Sequence, residues 1–284
     1  MSKIETITVI YTLTYAKPPF NDINKYLSQL ADFNNNNNIN SIIINQTGYP
    51  FEINAKIKNK IKIKIFELKN IHPLSVCRNK GVDSLNDDGF VLFGDEDVSY
   101  NEDILKLLDF KCIDILYGNI MNIYTNQLLL TNRFKDIRKN ILLTIKSASV
   151  AYSKNFLKSN KFNEEFGVGS YYHSGEETDL LIKAFYNGFK IRHVNFIISY
   201  TSIIDWDEIN PVKIANYSFG FGALLKKNLN KLGLRVIFTS LLHSLFVSVK
   251  YLFINKTIAR NSAIYFLNSL KGFNAYKVKK GIFQ

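Results

Sequence analysis

Three short segments of this sequence carry side chains suited to work on a charged, oxygen-rich substrate. Asp95-Glu96-Asp97 follows the apolar run Phe90-Val91-Leu92-Phe93. Side chains alternate along an extended backbone, so Asp95 and Asp97 are expected on the same side of the chain. Such a pair suits a hard divalent cation, Mn²⁺ or Mg²⁺, which takes one or two carboxylates and completes its shell with substrate phosphates and water. The same tripeptide also reads as a solvated acidic turn. Glu177 stands in Ser174-Gly175-Glu176-Glu177-Thr178-Asp179, at the opening of a helix-like stretch. It is either an acid favoured there by the helix dipole or a general base that takes a proton from a hydroxyl nucleophile. Arg78 and Lys80 lie in Leu74-Ser75-Val76-Cys77-Arg78-Asn79-Lys80-Gly81. They are surface ion-pair partners by default, and charge-assisted donors if a diphosphate binds nearby.

The elements that must hold these groups alternate between strand and helix. Ile7 to Leu13 is expected as a buried strand, Asp22 to Phe33 as a helix with Ile23, Tyr26, Leu27 and Leu30 on one face, and Ser41 to Asn45 as a second strand. The Asn34 to Asn38 run between them is low-complexity and reads as a surface loop. Lys60 to Phe66 alternates Lys with Ile, a pattern that protects an exposed sheet edge. Pro73 to Leu85 fits a helix, Ser149 to Tyr152 a short strand followed by a helix near Lys154 to Lys158, and Arg133 to Asn140 a basic loop. Glu177 to Asn187 fits a helix stopped by Gly188, and Ile191 to Tyr200 a strand. Gly169 to Gly175, with Tyr171, Tyr172 and His173, reads as a mobile loop. Alternating strands and helices predict an α/β sheet whose ligands sit beyond the carboxyl ends of the strands, where Thr12, Asn45 to Gly48 and Asp95 to Asp97 all fall.

Taken in order, these segments resemble glycosyltransferase family 2. The resemblance covers roughly residues 4 to 200 and rests on several pieces. They are the first strand, Arg78-Asn79-Lys80-Gly81, Phe90 to Asp97 with its DxD motif, Lys161-Phe162-Asn163-Glu164-Glu165-Phe166-Gly167, Gly175 to Leu181 and Asn187-Gly188-Phe189-Lys190-Ile191. It implies a GT-A fold, a Rossmann-like mixed sheet flanked by helices, and an inverting, metal-dependent hexosyltransferase that uses a nucleotide sugar. Carried over residue by residue, Thr12, Asn45, Arg78 and Asp95 would bind the donor, and Asp97, with Asp95, would bind Mn²⁺ or Mg²⁺. Glu177 would be the catalytic base, and Tyr171, Tyr172 and His173 would meet the acceptor. The sequence departs from the pattern in three places. Asn45 stands where the family usually has Asp, Glu177 where it more often has Asp, and the late His ligand has no clear match: His193 lies short of the expected position near Tyr200, and is either a further metal ligand or a structural residue of its strand. A sugar nucleotidyltransferase fits less well, because Tyr11-Thr12-Leu13-Thr14-Tyr15 is not a Gly-rich phosphate loop. A non-catalytic GT-A-like scaffold stays open as the alternative.

Composition sets the outer bounds. The chain has 284 residues, 46% hydrophobic and 21% charged, which excludes a disordered or collagen-like protein. Cys77 and Cys112 are too few for a disulfide framework, so a reducing compartment and a core position are expected for both. The net charge of +12 is confined to one end. From Pro211 onward there are 12 Lys and Arg and no Asp or Glu, whereas residues 1 to 210 carry 24 of each sign. The chain is therefore divided into a catalytic domain, 1 to 210, and a basic, helical extension, 211 to 284. Leu234 to Ile254 is the most apolar stretch, but Arg235, His243 and Lys250 interrupt it, so no run reaches the ~20 apolar residues that cross a bilayer. On a helical wheel Phe238, Leu241, Leu242, Leu245, Val249 and Leu252 share a stripe. That stripe lies on an anionic membrane or packs on protein, including a second subunit. The charge block favours a membrane over nucleic acid, for which no fold signature is present. The resulting expectation is a cytoplasmic enzyme, peripheral at the inner face of a bacterial membrane. It would extend a glycan or lipid-linked acceptor for capsule, lipopolysaccharide or a related surface polysaccharide.

Overall fold

The structure is a computed structural model that describes residues 5–16, 18, 20–34, 38–86, 88–202 and 210–277. Asn35 to Asn37 of the asparagine run, and Lys279 and Lys280 of the basic block, lie outside the described residues. The chain divides into two compact units, Met1–Phe162 with Leu180–Ile203, and Asn163–Asp179 with Ile204–Gln284. Division at residue 210 therefore misses that Asn163–Asp179 packs with the C-terminal segment. Packing of this kind joins residues distant in sequence and leaves no local signal.

In the first unit the elements run β1 (Glu5–Leu13), α1 (Asn21–Asp32), β2 (Ile39–Asn45), α2 (Ala55–Lys58), β3 (Lys62–Glu67), α3 (Leu74–Asp83), β4 (Asp88–Gly94) and β5 (Val98–Tyr100). After a 3-10 segment at Glu102–Asp109 come β6 (Ile115–Asn122), β7 (Leu128–Leu129), α4 (Ile137–Leu143), β8 (Val150–Ser153) and α5 (Lys154–Ser159). α6 (Glu176–Tyr186) begins in the second unit and continues into the first, which β9 (Ile191–Thr201) closes. The strands form one mixed sheet in the order β3-β2-β1-β4-β8-β6-β9-β5, with β7 paired to β6. β1 to β4 are mutually parallel, and β8 runs antiparallel to both β4 and β6.

The apolar runs become strands because both their faces are covered. Ile7, Val9, Tyr11 and Leu13 pack with Phe90, Leu92, Ala151, Leu116 and Ile198 from the neighbouring strands, and with Ile23, Leu27 and Leu30 of α1. Each fully buried Ile or Leu contributes about 2 kcal/mol of hydrophobic stabilisation. The Lys/Ile alternation falls on β3, an edge strand with Lys62 and Lys64 exposed. Two local expectations are corrected. The basic loop at Arg133 to Asn140 is in part helix α4, because Asp136 caps it by accepting from the Arg138 N–H at 2.9 Å and Ile141 and Leu142 are buried. Cys77 is buried on α3, where burial pushes its thiol up to about 11, but Cys112 is exposed.

The second unit contains α7 (Pro211–Lys227), α8 (Leu229–Tyr251) and α9 (Lys256–Ala275). Asn210 starts α7 by accepting from the Val212 N–H at 2.8 Å, and Pro211 occupies the first helical position, where a missing N–H costs nothing. α7 and α9 approach backbone to backbone: a Cβ added at Gly222 would stand 1.8 Å from the Ser269 carbonyl oxygen. α8 is kinked at Gly233, whose φ of 76° and ψ of 152° are not helical. Its length and its mean hydropathy of 1.7 over 18 residues are sufficient to cross a membrane, despite the interrupting charges, and 28% of that window is buried. Of the stripe drawn on the helical wheel, Phe238, Leu242, Leu245, Val249 and Leu252 are exposed, together with Leu234 and Phe246, and Leu241 alone is buried, with Val236, Ile237 and Ser240 on the packed face.

Candidate functional site

Parallel pairing brings the carboxyl ends of β1, β2 and β4 to one edge of the sheet. Leu13 is level with Asn45, and Tyr11 with Gly94, so Thr12, Asn45 and Asp95 emerge side by side. Crevices at such strand ends are the usual ligand positions in α/β sheets. Gly94 is required there: a Cβ would stand 2.4 Å from the Tyr11 ring. Tyr11 is buried, its hydroxyl has no hydrogen-bond partner among the described residues, and burial followed by the nearby Tyr26 raises its pKa. Tyr100 fixes the end of β4 by donating to the Phe93 carbonyl at 2.9 Å.

Asp95, Glu96 and Asp97 occupy a turn, closed by the Val98 N–H donating to the Asp95 carbonyl at 3.2 Å. The backbone here is therefore not extended, Asp95 and Asp97 do not share a side as alternation along a strand would give, and the three carboxylates take three different partners. Asp95 faces Arg78 at 3.4 Å. Glu96 accepts from the backbone N–H groups of Thr14 and Tyr15, the latter at 2.6 Å. Asp97 accepts from the hydroxyls of Ser202 at 3.0 Å and Thr201 at 3.3 Å. Sequence reasoning missed Glu96, which ties the turn after β4 to the loop after β1. With Ala16, Phe20, Asn21, Asp22 and Ile23 it lines a hollow of about 120 Å³. Its only sequence signal was its place inside the acidic triplet.

Arg78 is only 2% exposed, unusual for a cation. Its guanidinium lies 5.5 Å from the Phe93 ring and 5.8 Å from the Phe162 ring, and donates to the Ser147 hydroxyl at 3.0 Å. These contacts offset the cost of removing the charge from water. Asp95, whose side chain is 46% exposed, is the partner on the open side.

Asn45 is buried and its amide is fully engaged. Nδ2 donates to the Tyr49 carbonyl and to Glu67 Oε2, both at 2.6 Å, while Oδ1 accepts from the Thr47 hydroxyl at 2.8 Å and the Thr47 N–H at 3.1 Å. Asn45 thus shapes the loop after β2 and has no donor left for a ligand. Thr12 is buried beside it on β1. As a metal centre, this edge offers oxygen donors only, the chemistry that Mg²⁺ and Mn²⁺ prefer. Among the described residues no three His, Cys, Asp or Glu side chains form a closed cluster. A cation at this edge would have to complete its shell from substrate phosphates and water.

The second unit holds Glu177 and the aromatic residues expected to meet the acceptor. Of the acids opening α6, Asp179 is paired with Lys227 at 2.6 Å and accepts from Asn228 at 3.3 Å, and Glu176 is buried. Glu177 is half-buried and makes no hydrogen bond or ion pair among the described residues. Tyr171 is 68% exposed. Tyr172 is instead a packing residue, buried with its ring centroid 4.9 Å from Phe166 and 5.5 Å from Tyr276. His173 adopts a left-handed φ of 60°, its ring 6.2 Å from Phe219.

His193 sits on β9 in the first unit, its ring 5.2 Å from Tyr117. With Asn119, Leu130, Asn132 and Asn195 it lines a cavity of about 340 Å³ that has no carboxylate in its wall. Its Nε2 is buried without a hydrogen-bond partner among the described residues, and burial lowers its pKa. Tyr200, nearer the place where a late histidine is expected, accepts from Asn101 Nδ2 at 3.0 Å.

No protein-family model and no curated protein match the chain. Solved structures do. A crystal structure of Staphylococcus aureus TarS has a TM-score of 0.54 and 16% identity, over 94% of this chain and 54% of that one. The present chain thus spans about half of that structure's length. The 1-349 form of TarS in complex with UDP has a TM-score of 0.51 at 14% identity, over 94% of this chain and 89% of that one. The same form in complex with UDP-GlcNAc has a TM-score of 0.52 at 14% identity, with the same coverage of both chains. At such identities the likeness establishes architecture, and the architecture of this chain, a curled mixed sheet flanked by helices, is the GT-A-like glycosyltransferase fold.

Proposed function

We propose that this chain is a glycosyltransferase that moves a sugar from a nucleotide-sugar donor to a glycan or lipid-linked glycan acceptor in surface polysaccharide synthesis. The observation that carries the proposal is the edge where Arg78 and Asp95 meet at the carboxyl end of β4, on a fold shared with a protein crystallised with UDP and UDP-GlcNAc. A uridine nucleotide is accordingly the first donor to test.

In this reading the guanidinium of Arg78, preset by Phe93, Phe162 and Ser147, attracts the diphosphate and fixes where it lies. Asp97, exposed at the same turn, and Asp95 would hold a Mn²⁺ or Mg²⁺ ion, which neutralises charge developing on the departing diphosphate. Glu177 accepts the proton of the acceptor hydroxyl. The oxygen then attacks the anomeric carbon as the bond to the diphosphate breaks, inverting the configuration. Glu96 acts earlier, by holding the Thr14 and Tyr15 backbone against the turn. Tyr171 offers an exposed ring face for an acceptor sugar.

The test is transfer or donor hydrolysis with a panel of nucleotide sugars and Mn²⁺, beside UDP binding by calorimetry. Glu177→Gln should lower kcat by about 10²- to 10⁴-fold while UDP still binds, and Asp97→Ala should weaken the metal-dependent part of binding. Transfer undiminished in both variants would refute the assigned roles, and absence of nucleotide binding by the folded chain would refute the transferase reading.

A further inference from the structure

The second unit exposes a broad apolar surface. Leu234, Phe238, Leu242, Phe246 and Val249 recur every three or four residues along α8, so they share one face, and all are exposed. The surface continues into the four residues joining α8 to α9, where Phe253 is 93% exposed. Contiguous exposed apolar patches mark interaction sites. Arg235, Lys250, Lys256 and Arg260 are exposed on the same two helices, and residues 211 to 284 contain no acidic side chain.

We propose that the α8–α9 hairpin lies in the interface of an anionic phospholipid bilayer, with Phe246, Val249 and Phe253 among the acyl chains and Lys250, Lys256 and Arg260 against the headgroups. Charge complementarity selects the occupant. An apolar face whose charged neighbours are all cations fits a negatively charged surface with an apolar interior, which is the arrangement of interfacial helices. A spanning α8 is the weaker fit. Its opposite face, Val236, Ile237, Ser240 and Leu241, is buried in the unit, and the packed partner α9 carries Lys256, Arg260, Asn261, Asn268 and Lys271. Taking both helices across the hydrocarbon would bury those groups in it. The proposal concerns the second unit alone and does not depend on the transferase reading.

The experiment is co-sedimentation of the full chain with vesicles of phosphatidylcholine alone and of phosphatidylcholine mixed with phosphatidylglycerol, at low and high salt. Binding is expected to the mixed vesicles and to fall with salt. Lys250→Gln with Lys256→Gln should weaken it about 25-fold, from roughly fivefold per cation, and Phe246→Ser or Phe253→Ser by about tenfold or more each. These side chains are exposed, so melting temperatures should stay at the parent value. Four results would overturn the proposal. They are no binding to anionic vesicles, equal binding by the variants, a lipid-indifferent dimer that Phe246→Ser dissociates, or bound protein that resists alkaline carbonate extraction as a spanning helix does. UDP binding, measured in parallel, reports separately on the first unit.

Discussion

Asn45→Asp introduces the residue type that the resemblance to glycosyltransferase family 2 leads one to expect at this position, yet in this chain it should damage the fold. The amide nitrogen of Asn45 donates to Glu67 Oε2 and to the Tyr49 carbonyl, each at 2.6 Å. Glu67 in turn holds the Phe51 N–H at 3.2 Å. A carboxylate at 45 has nothing to donate. The charge-assisted bond to Glu67 is worth about 1.5 to 3 kcal/mol and the bond to Tyr49 about 1 kcal/mol. Two carboxylates in contact also repel, but Glu67 is exposed and solvent screens that cost to about 1 kcal/mol. The variant should lose about 4 kcal/mol at neutral pH, or about 8 to 16 °C in Tm for a domain of this size. The sign of its pH dependence follows. Crowding raises the native pKa of the carboxylate pair above its unfolded value, so the native state binds more protons. The deficit therefore grows as pH rises above the ordinary carboxylate range near 4 and shrinks toward acid, by at most about 1.4 kcal/mol per pH unit. Urea denaturation of parent and variant at several pH values reads this directly. Adding Glu67→Gln should rescue the variant, because the glutamine amide can donate to Asp at 45. A single variant as stable as the parent at neutral pH, or a double variant no better than the single, would show that the Asn45–Glu67 contact does not hold the loop.

Two further outcomes follow from the packing. Gly222→Ala forces a Cβ to within 1.8 Å of the Ser269 carbonyl oxygen, and backbone cannot yield as a flexible side chain can. Thermal unfolding should show a loss of about 2 kcal/mol or more, with nucleotide binding by the first unit retained. His193, whose pKa burial lowers, should titrate below its ordinary midpoint near 6.5 in NMR spectra. Its native pKa is depressed, so the stability it contributes is present above about 6.5 and is lost as pH falls toward the native value. His193→Phe should remove that part of the acid sensitivity, and a midpoint at or above the ordinary value would contradict the burial.

The main strands were legible because their apolar runs are long and need no context. A run such as Ile7 to Leu13 is apolar enough to require burial, and the Lys62 and Lys64 alternation marks an edge because lysine is costly anywhere else in a sheet. Helix α4 was obscured by Arg138 and Lys139, which read as loop residues. Its start depends on the Asp136 cap, a single polar side chain whose partner is a backbone N–H. At the candidate site, residue types were legible and orientations were not. Asp95 and Asp97 are both present, but the turn that separates their partners is a backbone conformation that the tripeptide does not dictate. Tyr171 and Tyr172 are identical in type and adjacent, and only packing against Phe166 and Tyr276 makes one of them a core residue.

By itself, the sequence determined the α/β class, the places of the principal strands along the chain, the confinement of excess positive charge to the last quarter and the identity of the acidic groups. These are properties of local pattern and composition, fixed by hydrophobic periodicity and by counting. Tertiary structure alone decided that Arg78 is buried between Phe93 and Phe162, that Asn45 is locked to Glu67, and that Asn163–Asp179 belongs with the C-terminal helices. It also decided which face of α8 remains open to solvent. Each of these depends on contacts between residues far apart in the chain, whose free energies are set by distance and burial, and neither quantity exists until the chain has folded.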